Sequence, residues 1–163
     1  YSHWTDWEHQ YSWDNSKEIF WLSSKEYDRY WQEKVIPQMK ELLSNYGEIS
    51  LIWFDMWLHH DETIVTKKQL IQLKKLIRSM QPNCLINSRL GLSMEEDADV
   101  DFRTLGDNEL GKYKYDYPWQ TPATVAHSWG YNSNENKSKN QYRLQRSQEK
   151  KTKTNALVNN FNL

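Results

Sequence analysis

Apolar residues recur at helical spacing in two stretches of the chain and run almost unbroken in two others. The pattern predicts helix, strand, helix, strand. In the first stretch Tyr27, Tyr30, Trp31, Val35, Met39, Leu42 and Leu43 fall three or four positions apart, which lines one face of a helix. Ser23 with Glu26 three positions on is a capping box, so the helix is expected to begin there. Pro37 lies inside the pattern and should kink or split the helix, and Gly47 is a suitable stop. Ile49–Asp55 follows, a nearly continuous apolar run ending in an acid, which reads as a strand buried on both faces. Thr66 and Gln69 make a second capping box before Leu70, Leu73, Leu76, Ile77 and Met80, and Gln81-Pro82-Asn83 ends that helix. Cys84–Asn87 is a second short buried strand, followed by Ser88 and Arg89. Helices alternating with strands over short connections indicate parallel βαβ units and an α/β fold.

The remaining segments are less regular. Residues 1–22 read as a strand end and a long loop, and 90–118 as a long loop carrying Glu95, Glu96, Asp97, Asp99 and Asp101. A further short element is expected at Thr124–Ser128. From Ser133 onward the composition changes. Lys137, Lys139, Arg143, Arg146, Lys150, Lys151 and Lys153 stand against only Glu135 and Glu149, so the formal charge of −1 hides an acidic body and a basic tail. Residues 133–163 have little to bury and are expected to be disordered.

A chain of 163 residues allows about one domain. No apolar run approaches the roughly 18 residues of a membrane span. The lone Cys84 excludes a disulfide framework within the chain. The near-neutral charge argues against a general nucleic-acid binder; a basic arm on residues 133–163 would bind in a salt-sensitive way, but basic tails are commonly just solvated. The chain opens at Tyr1 in apparently ordered sequence, which reads as part of a longer protein, so the lack of a signal peptide says nothing about compartment. Nine tryptophans within a 37% hydrophobic composition concentrate the apolar content in large rings. Trp31 is expected in the core. Trp4, Trp7, Trp119 and Trp129 fall near strand ends or their loops.

In parallel α/β folds chemistry collects at the C-terminal strand ends. Three such ends carry polar groups here: Tyr1-Ser-His-Trp, Trp53-Phe-Asp55 and Asn87-Ser-Arg89. Taken alone, Asp55 could simply cap a turn. In order along the chain, however, come Trp53-Phe-Asp55-Met, then Gln81-Pro-Asn-Cys-Leu-Ile-Asn-Ser-Arg89, Asp101-Phe-Arg-Thr-Leu-Gly-Asp107-Asn-Glu109, Tyr117-Pro-Trp-Gln120-Thr and Ser128-Trp-Gly-Tyr-Asn132. This series, with the opening Tyr1-Ser-His-Trp-Thr-Asp-Trp7, resembles the α-L-fucosidases of glycoside hydrolase family 29. The resemblance covers roughly residues 1–132, and the tail departs from it.

The resemblance implies a partial (β/α)8-like barrel of about three βα units over residues 1–132. It implies a retaining exo-α-L-fucosidase that releases terminal L-fucose by double displacement, needing two carboxyl groups and no cofactor. Asp55 matches the nucleophile. Asp107 or Glu109 is the acid/base; the family pattern is stretched here and both stay open. Arg89, Trp53, Tyr1, Trp57 and Trp119 are the expected sugar contacts, although Arg89 could instead pair with a loop acid. Gln120 stands where the family often has Glu, and the family's substrate-binding His pair would lie before Tyr1. His59-His60-Asp61 is not expected to replace that pair or to bind metal, because adjacent side chains diverge from most backbones. The implied partner is a fucosylated glycan or fucose-containing polysaccharide, and the implied setting is periplasmic, extracellular or lysosomal. A non-catalytic fucose-binding protein is the alternative. Nothing in the sequence marks an oligomeric state.

Overall fold

The computed structural model describes residues 1–13, 22–56, 58–92, 100–108, 115–124, 128–131 and 133. It divides into two compact units, 1–103 and 104–163. In the first, the elements are α1 (Ser24–Tyr30), a π-helical turn (Trp31–Val35), α2 (Ile36–Asn45), β1 (Leu51–Ile52), a 3₁₀ turn (His60–Glu62), α3 (Lys67–Met80), β2 (Leu85–Ile86) and a second 3₁₀ turn (Ser88–Leu90).

Both capping boxes form. The Ser23 hydroxyl accepts from the Glu26 amide while Glu26 reaches back to the Ser23 amide, and Thr66 and Gln69 repeat the exchange. Pro37 does split the first helix, and the π turn is how. Without an N–H, and with a ring that crowds the carbonyl four residues back, Pro37 cannot continue an α-helix unaided. The turn before it widens, so that the Ile36 amide donates to Trp31 O five residues earlier, and Pro37 enters the first turn of α2. Trp31 and Val35 stay fully buried on the inner face.

β1 and β2 pair in parallel, Leu51 with Leu85 and Ile52 with Ile86. Two further segments join. A parallel bridge links Asn87 to Phe102. On the other edge the Tyr1 backbone nitrogen donates to Trp53 O (2.6 Å) and the Asp55 amide donates to Tyr1 O (3.3 Å), the parallel pattern flanking Phe54. The order Tyr1, β1, β2, Phe102 follows the chain. The strands are shorter than the apolar runs suggested, and burial on both faces does not hold. Ile52 and Ile86 are buried, but Leu51 and Leu85 remain 39% and 44% exposed. Leucine is the same residue on a covered face and an open one, so the run alone could not distinguish them.

The core joins Trp4, Tyr27, Tyr30, Trp31, Met39, Phe54, Leu70, Leu73 and Ile77, all fully or nearly fully buried. Each such aliphatic side chain contributes about 1.5–3 kcal/mol through burial. Leu76 is only partly buried and Met80 is exposed, at the rim of the α3 face.

The stretch 90–118 is not wholly loop. Val100, Phe102 and Thr104 alternate inward, the segment pairs with β2, and β3 (Arg103–Thr104) follows. The neighbouring acids masked this short period-two signal. In the second unit β4 (Trp119–Gln120) lies beside the end of β3, with the Leu105 amide donating to Gln120 O at 2.9 Å. The element expected at Thr124–Ser128 and the tail fall mostly outside the described residues.

Candidate active site

The pleat sets the site. Along β1 and beyond it, Ile52 and Phe54 turn into the core, while Leu51, Trp53 and Asp55 share the opposite face. Trp53 is half-buried, and the Asp55 side chain is 42% exposed, open to a ligand.

The backbone carrying this carboxylate is held at every polar group from Trp53 O to Met56 N. Tyr1 supplies both partners on one side. On the other, the Asn87 carboxamide stands in for a strand, its Oδ1 accepting from Phe54 N–H (2.7 Å) and its Nδ2 donating to Phe54 O (3.0 Å). Trp4 Nε1 donates to Asp55 O (3.0 Å), and the Met56 amide donates to Arg89 O (3.0 Å). Asn87 is fully buried, so its two bonds meet groups that would otherwise be unsatisfied.

Arg89 reaches the carboxylate itself. The 3₁₀ turn after β2 aims its Nη1 at Asp55 Oδ1, 2.9 Å away, with the guanidinium carbon 5.2 Å from the centre of the Trp53 ring. The Arg89 side chain is 10% exposed, so the ion pair is screened less than a surface pair. Asp55 is thus a partner of Arg89, and Glu95, Glu96, Asp97, Asp99 and Glu109 lie outside the described residues. Gly91 closes the turn at φ 105°, a conformation that favours glycine.

Against Phe54, the residue before Asp55, lies His3, fully buried, with its ring edge-on to Phe54 (4.9 Å) and Trp31 (6.0 Å). Its Nε2 donates to Leu90 O at 3.0 Å. Burial pushes its pKa down to about 3, so it is a neutral positioning group at ordinary pH. Tyr1 packs edge-on to Phe54, and its hydroxyl donates to Gln38 Oε1 (2.8 Å); burial pushes this phenol up to about 12.

In the second unit Asp107 is exposed on a turn. The next residue, Asn108, adopts φ 57°, donates its amide to Pro122 O (2.8 Å) and accepts from Thr124 N–H through Oδ1 (2.9 Å). Trp119 is half-buried, edge-on to Tyr115 at 5.8 Å. Gln120 Nε2 donates to Thr104 Oγ1 at 3.2 Å. Glu109 and Trp57 lie outside the described residues.

A family model described as α-L-fucosidase matches residues 1–147, past Asn132. The chain belongs to the α-L-fucosidase family.

Among solved structures, the α-L-fucosidase of Vibrio sp. strain EJY3 is 30% identical with a TM-score of 0.68, over 83% of this chain and 24% of that one. The α-L-fucosidase AlfC of Lactobacillus casei, in complex with its α-L-fucose product, is 32% identical with a TM-score of 0.64, over 92% of this chain and 48% of that one. Isoenzyme 1 of Paenibacillus thiaminolyticus is 33% identical with a TM-score of 0.57, over 67% of this chain and 27% of that one. The chain thus spans a quarter to a half of the length of these relatives. No curated protein sequence matches. The family's members are glycoside hydrolases.

Of the residues expected in the fucosidase site, the structure brings together Asp55, Arg89, Trp53 and the backbone of Tyr1. Asn87, His3 and Trp4 were given no site role, Trp4 being placed only near a strand end and the other two only within strand-end motifs. Asn87 ends an apolar run, whereas His3 and Trp4 follow only Tyr1 and Ser2, and the partners of all three are backbone atoms distant in sequence. Trp4 stacks on Trp13 at 4.2 Å within the core, while Trp7 and Trp129 are exposed. The adjacent rings of His59 and His60 do not diverge. Their centres are 4.2 Å apart and both Nδ1 atoms approach the Asp61 carboxylate. A cleft of about 380 Å³ opens at the other end of the strands, among Leu43, Gly47, Ile49, Gln81 and Cys84, away from Asp55.

Proposed function

We propose that this chain is part of the catalytic barrel of a retaining exo-α-L-fucosidase, about three βα units of it, with Asp55 as nucleophile. One observation carries the reading. In a chain of this family, the half-exposed Asp55 carboxylate stands at a strand end on fully bonded backbone, against a buried guanidinium. In the first step an Asp55 oxygen bonds to the anomeric carbon of fucose as the glycosidic bond breaks. Asp107 or Glu109 gives its proton to the departing oxygen. In the second, that residue takes a proton from water, which attacks the same carbon and releases Asp55. Arg89 orients the carboxylate. Trp53, Trp57 and Trp119 offer ring faces to the sugar, and Tyr1 contributes beside them.

The substrate in this reading is a fucosylated glycan or fucose-containing polysaccharide, met in a periplasmic, extracellular or lysosomal setting, and no cofactor takes part. A closed barrel takes roughly 250 residues. Turnover is therefore expected from a complete catalytic domain, and little or none from these 163 residues alone.

The test replaces Asp55 with Ala or Gly in a protein carrying the complete domain. Hydrolysis of 4-nitrophenyl α-L-fucoside should fall at least about 10⁴-fold, as for other nucleophile deletions. A 2-fluoro-fucosyl reagent should leave a covalent adduct on the peptide containing Asp55. Undiminished turnover in the variant overturns the assignment.

A further inference from the structure

We propose that His59, His60 and Asp61 form a three-ligand site for a divalent transition-metal ion of the zinc type. Its test needs no turnover.

Three observations carry it. The first is convergence. His59 is extended (φ −70°, ψ 151°) and His60 opens a 3₁₀ turn, so the strand-like alternation that would send neighbouring side chains apart is broken between them. The candidate ligand atoms of all three residues lie within 4.8 Å of one another.

The second is spacing. His60 Nδ1 is 2.9 Å from Asp61 Oδ1, and His59 Nδ1 is 3.4 Å from Asp61 Oδ2. Ligands about 2.0–2.2 Å from a tetrahedral ion sit roughly 3.3–3.5 Å apart, so small adjustments suffice. The Asp61 amide donates to His59 Nδ1 at 3.4 Å, so that nitrogen is unprotonated and its lone pair is engaged by the amide. The bond is long and easily exchanged for a metal ligand.

The third is support. Glu62 N–H donates to His59 O (3.0 Å), Thr63 N–H and Oγ1 both donate to His60 O (3.1 Å), and Val65 N–H donates to Thr63 Oγ1 (3.1 Å). Val65 itself is anchored in the core at 2% exposure. The turn is thus fixed before any ion arrives. Imidazole suits zinc, nickel and copper, and two imidazoles with one carboxylate leave a fourth position for water. The Asp61 side chain is 74% exposed, so an ion has a path in, while the His60 side chain at 10% holds the inner wall.

The test uses the chain as it is, stripped with EDTA. Co²⁺ is titrated in and followed by its d–d absorption, and Zn²⁺ is added to displace it, with calorimetry giving stoichiometry. One ion per chain is expected. His59→Gln and Asp61→Asn, both at partly or largely exposed positions, should each weaken binding by more than about tenfold, at least the loss that removal of an outer partner causes. His9→Gln should not. In the unaltered chain, Zn²⁺ should shift the ring nitrogen signals of two histidines, His59 and His60. No binding, several weak ions, affinity unchanged in either variant, or shifts confined to other histidines would each overturn the site.

Discussion

The two ends of the β1–β2 pair use the same device for different purposes. At the C-terminal end the Asn87 carboxamide bonds both polar groups of Phe54 and extends the ladder past the last backbone pair. At the N-terminal end the Gln81 carboxamide accepts from Ile49 N–H (2.6 Å) and donates to Leu43 O (2.8 Å) and Gly47 O (2.9 Å). Gln81 ties a helix end and a turn to the strand that follows. Asn87 holds the residue immediately before a half-exposed carboxylate with a buried arginine against it. Both ends are ordered by amides and each has an ion pair beside it, Arg89–Asp55 at one and Arg78–Asp101, next to Cys84 and Ile86, at the other. What separates the ends is the carboxylate: the Asp55 side chain is 42% exposed, whereas Asp101 is 28% exposed and also accepts from the Ile86 amide.

That contrast is broken most strongly at Asn87. Asn87→Ala strands a buried N–H and a buried C=O, each costing about 1–3 kcal/mol, so unfolding in urea should show a loss of about 2–6 kcal/mol. Hydrogen exchange should quicken at Phe54 while Leu85, whose amide donates to Ser50 O, keeps its protection. A loss spread evenly over both ends would mean that the amide serves the fold as a whole.

Gln81→Ala should cost less, about 1 kcal/mol. The residue is only partly buried beside an open cleft, and water can replace its bonds. Exchange should quicken at Ile49 and stay unchanged at Phe54. An effect on Phe54 equal to that of Asn87→Ala would erase the distinction.

What could be read in advance follows the range of each interaction. The capping boxes at Ser23 and Thr66 obey a rule three residues long, and both formed as written. Asp55 stood out as an acid closing an apolar run, which is costly without a reason, but that pattern alone also fitted a turn cap, and its proposed role rests on the ordered motifs of the family. Pro37 announced a break but not that a π turn would absorb it. Asn87 carried no such mark: its partner is the backbone of another strand, and main-chain atoms look the same at every residue. Leu51 and Leu85 misled for a related reason, since what covers a leucine lies elsewhere in the chain. The pair His59–His60 misled because ring direction depends on a change of backbone conformation between two neighbours, which composition does not encode.

The last effect appears only in acid and concerns His3, which ties pH to one end only. Its folded pKa is about 3, because burial penalises the charged ring, against about 6.5 for an exposed histidine. The unfolded chain therefore binds the extra proton first. Stability from this group is complete above about pH 6.5 and is lost as pH falls toward 3, by up to about 1.4 kcal/mol per pH unit. His3→Gln keeps a donor for Leu90 O and removes the titration, so the difference in urea midpoint between variant and parent should shrink or reverse between pH 7 and pH 5. Within the parent, acid should quicken exchange at Phe54 and Asp55, above the buried ring, before Ile49 and Leu85 respond. At the other end the buried titratable group is Cys84, whose thiol burial pushes up and which therefore stays neutral throughout this range. Simultaneous loss of protection at both ends would show that the β1–β2 pair opens as one unit, and that the protonation of His3 is felt by the whole core and not by the site alone.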